Sequence, residues 1–166
     1  ERRRLWYVAS GAMEAVEESG STPLAAGDFF VVPVGTPVGV RSESGAVYLE
    51  ISLQEGKAMN KAIEDKKVFQ LAELLPVQEG RIVNMDLVQS PNLKFVLMSF
   101  GAGTGLDEHA APGEALVFAL EGEAVIGYEG KEYTIRAGEN FKFAKNGRHY
   151  VRAEKNFKMA LMLELI

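Results

Sequence analysis

The chain contains only two histidines, His109 and His149, and carboxylates lie close to the first of them at Asp107 and Glu114. Imidazole changes charge near neutral pH and is the commonest metal ligand. Imidazole with carboxylate suits Zn, Fe, Mn, Ni or Co, and two His with one carboxylate can form an oxygenase-type facial site. His109 and His149 are therefore the candidate metal ligands, with Asp107 or Glu114 as the third and water completing the shell. The same pair has a second reading: two imidazoles in a site without metal, hydrogen-bonding a small ligand or each other. Cysteine is absent, so no thiolate site, disulfide or cysteine nucleophile is available. With both histidines placed, none is left for a Ser-His-Asp triad.

The elements that must position this pair lie in the stretch from Gly103 to His149. Apolar runs at Leu116–Leu120 and Ala124–Ile126 flank Glu121-Gly122, and Tyr133–Arg136 leads through Ala137-Gly138-Glu139-Asn140 into Phe141–Ala144. Short strands separated by glycine turns mark an all-β sandwich or barrel. Side chains alternate along a strand, so Asp107, His109 and Ala111 are expected on one face and Glu108 and Ala110 on the other. Beyond the turn at Pro112-Gly113, Glu114 faces away from the pocket in an unbroken strand, and a bulge near Gly113 would turn it inward. Met85, Met98, Met159 and Met162 are expected to line the apolar interior, and Tyr128, Tyr133 and Tyr150 its rim. The glycine-rich Gly101–Gly105 is phosphate-loop-like in composition only, and a barrel turn explains it better.

This stretch resembles the cupin family. The family's first motif runs Gly, five residues, His-x-His, three or four residues, Glu, six residues, Gly; Gly103, His109 and Gly122 match it, while Ala111 and Ala115 stand at the second His and the Glu. The second motif runs Gly, five residues, Pro-x-Gly, two residues, His; Gly138 and His149 match it, with Ala144 and Asn146 in place of Pro and Gly. The resemblance implies a cupin-type double-stranded β-helix, or jelly-roll barrel, in the second half of the chain. It also resembles the small stand-alone cupins of undefined activity, whose closing strand has the pattern seen at Phe157-Lys158-Met159.

The N-terminal third echoes the C-terminal third. Leu5–Gly11 parallels Leu116–Gly122, and Leu24–Phe29 parallels Ile135–Asn140, with Gly11 and Gly27 each lying 111 residues before Gly122 and Gly138. Val47–Leu53 parallels Met159–Leu165 with one residue of slippage. The chain thus looks like a bicupin: a partial barrel over 1–53, a linker over 54–66 and a complete barrel over 67–166. The first copy's second motif keeps Pro33-Val34-Gly35 but places Val38 where the histidine belongs, so it cannot ligate a metal. Position 1 is Glu rather than Met and falls where the first copy's histidine motif should have ended. Bare strand edges are costly, so upstream residues, or strands from another chain, are expected to complete that barrel.

Within residues 54–80 the charged cluster Glu64–Lys67 reads as a solvated linker face, and Val68–Leu75 as a short apolar piece stopped by Pro76. Arg81–Val88 and Leu93–Phe100, joined through Ser90-Pro91-Asn92, read as the first long strands of the second barrel. Leu116–Leu120 and Phe29–Val32 are apolar at every position, which implies that both strand faces are covered; a homodimer through barrel faces or strand exchange is the expectation. The net charge of −5 disfavours nucleic acid or an anionic membrane as partner. No apolar run reaches the roughly 20 residues of a membrane span, and a cytoplasmic location is expected. Three functions follow: small-molecule binding in the C-terminal barrel, with or without a degenerate divalent-metal site, a metal-dependent enzyme, or an interaction module. The resemblance implies dioxygenase, decarboxylase or isomerase chemistry on a small polar substrate for the second.

Overall fold

The computed structural model describes residues 2–54, 58–64 and 67–165. The first strands are β1 Arg2–Glu17, β2 Gly20–Ala25, β3 Asp28–Val32, β4 Gly39–Arg41, β5 Ala46–Gln54 and β6 Ala58–Met59; the helical turn α1 Lys61–Glu64, β7 Val68–Gln70 and the turn α2 Leu71–Leu74 follow. Next come β8 Ile82–Gln89, β9 Leu93–Phe100, β10 Thr104–Ala110, β11 Ala115–Glu121, β12 Glu123–Tyr128, β13 Lys131–Arg136, β14 Asn140–Phe143, β15 Arg148–Ala153 and β16 Phe157–Glu164. Two compact units divide the chain, one ending at Leu71 and the other starting at Ala72. The expected linker carries β6 and α1, while its residues 55–57 and 65–66, including part of the charged cluster, lie outside the described residues. Val68–Gln70 pairs with Asp28–Phe30, so β7 belongs to the first unit's sheet. Among the described residues, no helix is long and apolar enough to cross a membrane.

The C-terminal unit is a jelly roll of two sheets. One runs in the order β10-β15-β12-β13, and the other follows β14-β11-β16-β9-β8. Strand alternation sorts β15 cleanly: His149, Val151 and Ala153 are buried, while Arg148 and Arg152 are exposed and Tyr150 is half-buried. Val96, Met98, Phe100 and Val117 of one sheet share a core with Ile126, Ile135 and Val151 of the other. Fully burying an aliphatic or aromatic side chain of this kind contributes about 1.5–3 kcal/mol, which drives the sheets together. Of the four methionines expected inside, Met98 and Met159 are in this core, and Met85 and Met162 are half-buried. Both faces of β9 are covered from Phe95 onward, and in β11 only Leu116, Leu120 and Glu121 retain appreciable exposure. The Ser90 hydroxyl accepts from the backbone N–H of Leu93 at 3.0 Å and closes the β8–β9 hairpin.

The N-terminal unit repeats the strand pairing of the other at a constant offset of 111 residues. Arg4↔Val32 and Tyr7↔Phe29 correspond to Ala115↔Phe143 and Phe118↔Asn140. Ala12↔Ala25 through Glu17↔Gly20 correspond to Glu123↔Arg136 through Tyr128↔Lys131. Even the bulge is shared: the β1–β5 register shifts between Val8 and Ser10, as the β11–β16 register does between Ala119 and Glu121. Tyr48 opposes Val8 where Met159 opposes Ala119, so the expected one-residue slippage does not exist. The bulge, present in both copies, keeps them in phase. The core residues Trp6, Val8, Met13, Ala15, Leu24, Phe30 and Val32 each fall 111 positions before a residue in or packed against the other core. Among the described residues β5 pairs with β1 alone, whereas its counterpart β16 pairs with both β11 and β9. The first barrel is thus partial and the second complete.

Candidate functional site

The two imidazoles meet because of a bulge. β10 and β15 pair antiparallel from Thr104↔Ala153 to Leu106↔Val151, then slip, and resume at His109↔His149. Asp107 and Glu108 together oppose Tyr150, the two-against-one count of a β-bulge. Without it, His109 would stand three positions from the inward Leu106 and face outward; the extra residue brings it to the wall that carries His149. The bulge also ends the expected kinship of Asp107 with His109. Asp107 and Glu108 instead line a shallow groove with Tyr150 and Arg152, and Glu108 is hydrogen-bonded to Arg148 Nε at 3.0 Å.

The irregularity expected at Gly113 serves another purpose. A Cβ there would lie 1.5 Å from the Glu164 carbonyl oxygen, so only glycine lets this turn close onto the end of β16. Glu114 then projects to the surface, where its carboxylate is 2.7 Å from Lys142 Nζ. Its hydrogen bond and charge raise the Lys142 pKa above the ordinary lysine value. The structure does not bring Glu114 to the histidines.

The rings of His109 and His149 lie 4.3 Å apart, centroid to centroid, tilted by 56°. His149 Nδ1 is 2.9 Å from the Gly147 carbonyl oxygen, and His109 Nδ1 is 2.8 Å from that of Asp107. A carbonyl only accepts, so each Nδ1 carries a proton, and the neutral form of each ring has its lone pair on Nε2. His149 is buried and His109 exposed. Burial pushes the His149 pKa below the ordinary imidazole value; the Gly147 carbonyl opposes that shift, and charge on His109 adds to it.

Phe143 stacks on His149 at 3.9 Å and 15°. Tyr128, opposite His149 in the β12–β15 register, packs 5.5 Å from Phe143 and 5.7 Å from Phe141. Its hydroxyl accepts from the Ala144 N–H at 3.2 Å. Gly147 makes room for it, since a Cβ there would come within 2.6 Å of the Tyr128 ring. The alternation Phe141-Lys142-Phe143 could have marked Phe143 as inward-facing; its stacking on His149 has no sequence signal.

Among the described residues, no three His, Asp or Glu groups converge to hold a metal ion. The pair supplies two imidazole nitrogens. Ala111 offers no donor, and Ala115 lies opposite Phe143 in the β11–β14 ladder. This set does not fit a resident metal with a full protein shell.

The family model for the cupin domain matches residues 96–165. Among solved structures, a cupin 2 conserved barrel domain protein from Leptotrichia buccalis is 34% identical, with a TM-score of 0.80 over 98% of this chain and 73% of that one. A cupin superfamily protein from Desulfitobacterium hafniense is 23% identical, with a TM-score of 0.62 over 66% of this chain and 99% of that one. Salicylate 1,2-dioxygenase from Pseudoaminobacter salicylatoxidans, 11% identical, covers 98% of this chain and 62% of that one at a TM-score of 0.65, a likeness of fold alone. No curated protein matches the chain.

Proposed function

The chain belongs to the cupin family, and on that premise we propose that its C-terminal barrel binds a small polar molecule through the His109–His149 pair, without a resident, fully ligated metal. One observation carries this reading: each Nδ1 faces a backbone carbonyl, which leaves Nε2 as the acceptor of each neutral ring, and the two ring centroids are 4.3 Å apart. Such a pair takes the hydroxyl or ammonium hydrogens of a ligand. Burial lowers the His149 pKa and so favours its neutral form, the one that accepts a hydrogen bond. The nearby aromatic rings favour a ligand with a flat or apolar portion.

The same two nitrogens would hold a divalent cation loosely, since imidazole suits Zn and Ni, but with two donors in place of a closed shell. A metal-dependent dioxygenase, decarboxylase or isomerase has only likeness of fold in its favour, and this fold hosts many chemistries.

Metal analysis and zinc titration of protein made without a polyhistidine tag test the proposal. The expected result is no stoichiometric metal after dialysis against a chelator. Added Zn²⁺ is then expected to give a weak, reversible signal that His149→Ala abolishes. One Fe, Mn, Ni, Co or Zn per chain surviving that dialysis would overturn the reading.

A further inference from the structure

The inner wall of the N-terminal unit carries a second cluster, independent of the histidines. Trp6 and Glu50 are directly opposed across β1 and β5, with Arg4↔Ser52 and Val8↔Tyr48 on either side. Trp6 Nε1 donates to Glu50 Oε2 at 2.7 Å and fixes that carboxylate. The Arg4 guanidinium lies 5.8 Å from the Trp6 ring centroid, within cation–π range. It is 3.8 Å from Glu50 Oε2, beyond hydrogen-bond distance. Tyr48 packs against Trp6 at 5.5 Å. The Arg4 and Glu50 side chains are 30% and 36% exposed, whereas the Trp6 ring below them is 2% exposed.

The repeat shows how unusual this wall is. At the 111-residue offset, Arg4, Trp6, Tyr48 and Glu50 correspond to Ala115, Val117, Met159 and Leu161, all in or packed against the apolar core of the other unit. Packing there needs no charge, and desolvating a guanidinium and a carboxylate is costly without close pairing. Arg4 and Glu50 form a loose ion pair at 3.8 Å beside Trp6, with no hydrogen bond between them, and a guanidinium offers five donors in a planar fork that matches a carboxylate.

We propose that the Arg4–Trp6–Tyr48–Glu50 cluster is a binding site for a small zwitterion of the amino-acid class. The ligand's carboxylate pairs with Arg4, its ammonium with Glu50, and its apolar part rests on the exposed Tyr48 ring, beside the buried Trp6. Trp6 is the only tryptophan in the chain, so its fluorescence reports this site directly.

Titrating the whole chain with L-phenylalanine, phenethylamine and 3-phenylpropionate separates the two charges. L-Phenylalanine is expected to change Trp6 emission saturably, with each single-charge analogue binding at least about tenfold more weakly, the scale of one lost charge-assisted hydrogen bond. Arg4→Met should bring L-phenylalanine down to the level of phenethylamine. Glu50→Gln, which keeps an acceptor for Trp6, should weaken L-phenylalanine about tenfold and leave 3-phenylpropionate unchanged. Far-UV circular dichroism checks that the variants are folded. No saturable change with any probe, equal affinity for all three, or full L-phenylalanine binding by folded Arg4→Met would overturn the assignment; if a variant does not fold, the three-probe series on the unaltered chain still decides.

Discussion

Replacing Phe143 by alanine will lower the unfolding free energy by about 3–5 kcal/mol, the usual cost of deleting a fully buried aromatic ring. Phe143 is 1% exposed and lies in the core of the C-terminal unit. It also supports the site, since its ring covers one face of His149 and packs against Tyr128 and Phe141. Removing it admits water to the imidazole, so the His149 pKa should rise back toward the ordinary value as its main depressing cause, burial, is relieved. Phe141→Ala is the control, because Phe141 is only half-buried and is expected to cost clearly less. Denaturant midpoints of the two variants measure the difference. Equal, small losses would mean that Phe143 does not fill the barrel beside the histidine.

The second large effect is expected at Gly122. Its φ of +72° lies in the left-handed region, and a Cβ would come 2.2 Å from the Asn156 carbonyl oxygen. Gly122→Ala therefore combines backbone strain with a clash against main chain that cannot swing aside, and roughly 3 kcal/mol or more of stability should be lost. Gly130 separates the two causes. It has a similar φ of +78°, but no heavy atom lies within 4 Å of its added Cβ. Gly130→Ala should cost only the left-handed penalty, about 1–2 kcal/mol. Similar losses at both positions in thermal or urea unfolding would remove the close approach as a cause. Gly11, 111 residues earlier, meets the Gly45 carbonyl oxygen at the same 2.2 Å, which explains why this glycine is present in both copies.

Much of the architecture was legible because strands and their punctuation are local. The hairpin at Ser90-Pro91-Asn92, the glycine turns and the spacing of Gly11 and Gly27 from Gly122 and Gly138 all follow from residues close in sequence. What escaped is what depends on phase. Period-2 counting along β10 fails at Asp107-Glu108, because a bulge built from two ordinary acidic residues leaves no compositional mark. That hidden residue moved His109 to the inner wall without Asp107. The false slippage between Val47–Leu53 and Met159–Leu165 has a related origin: few identical residues anchor that comparison, and the ladders alone show its register. Glu114 was unreadable for another reason. Its partner Lys142 lies on a neighbouring strand, and a long-range ion pair has no signature in spacing. The pairing of Trp6 with Glu50 across 44 positions was hidden in the same way.

Long-range ¹H–¹⁵N correlation spectra of the labelled protein, recorded across a pH titration, test the paired-imidazole site most directly. With two histidines in the chain, four ring nitrogens account for every signal. Both rings should carry hydrogen on Nδ1 and a bare Nε2, with cross-ring nuclear Overhauser contacts. At a pH near 6.5, where a free imidazole is about half protonated, His149 should be less protonated, because burial lowers its pKa. Two rings without mutual contact, with His149 titrating as a free surface histidine, would contradict the site.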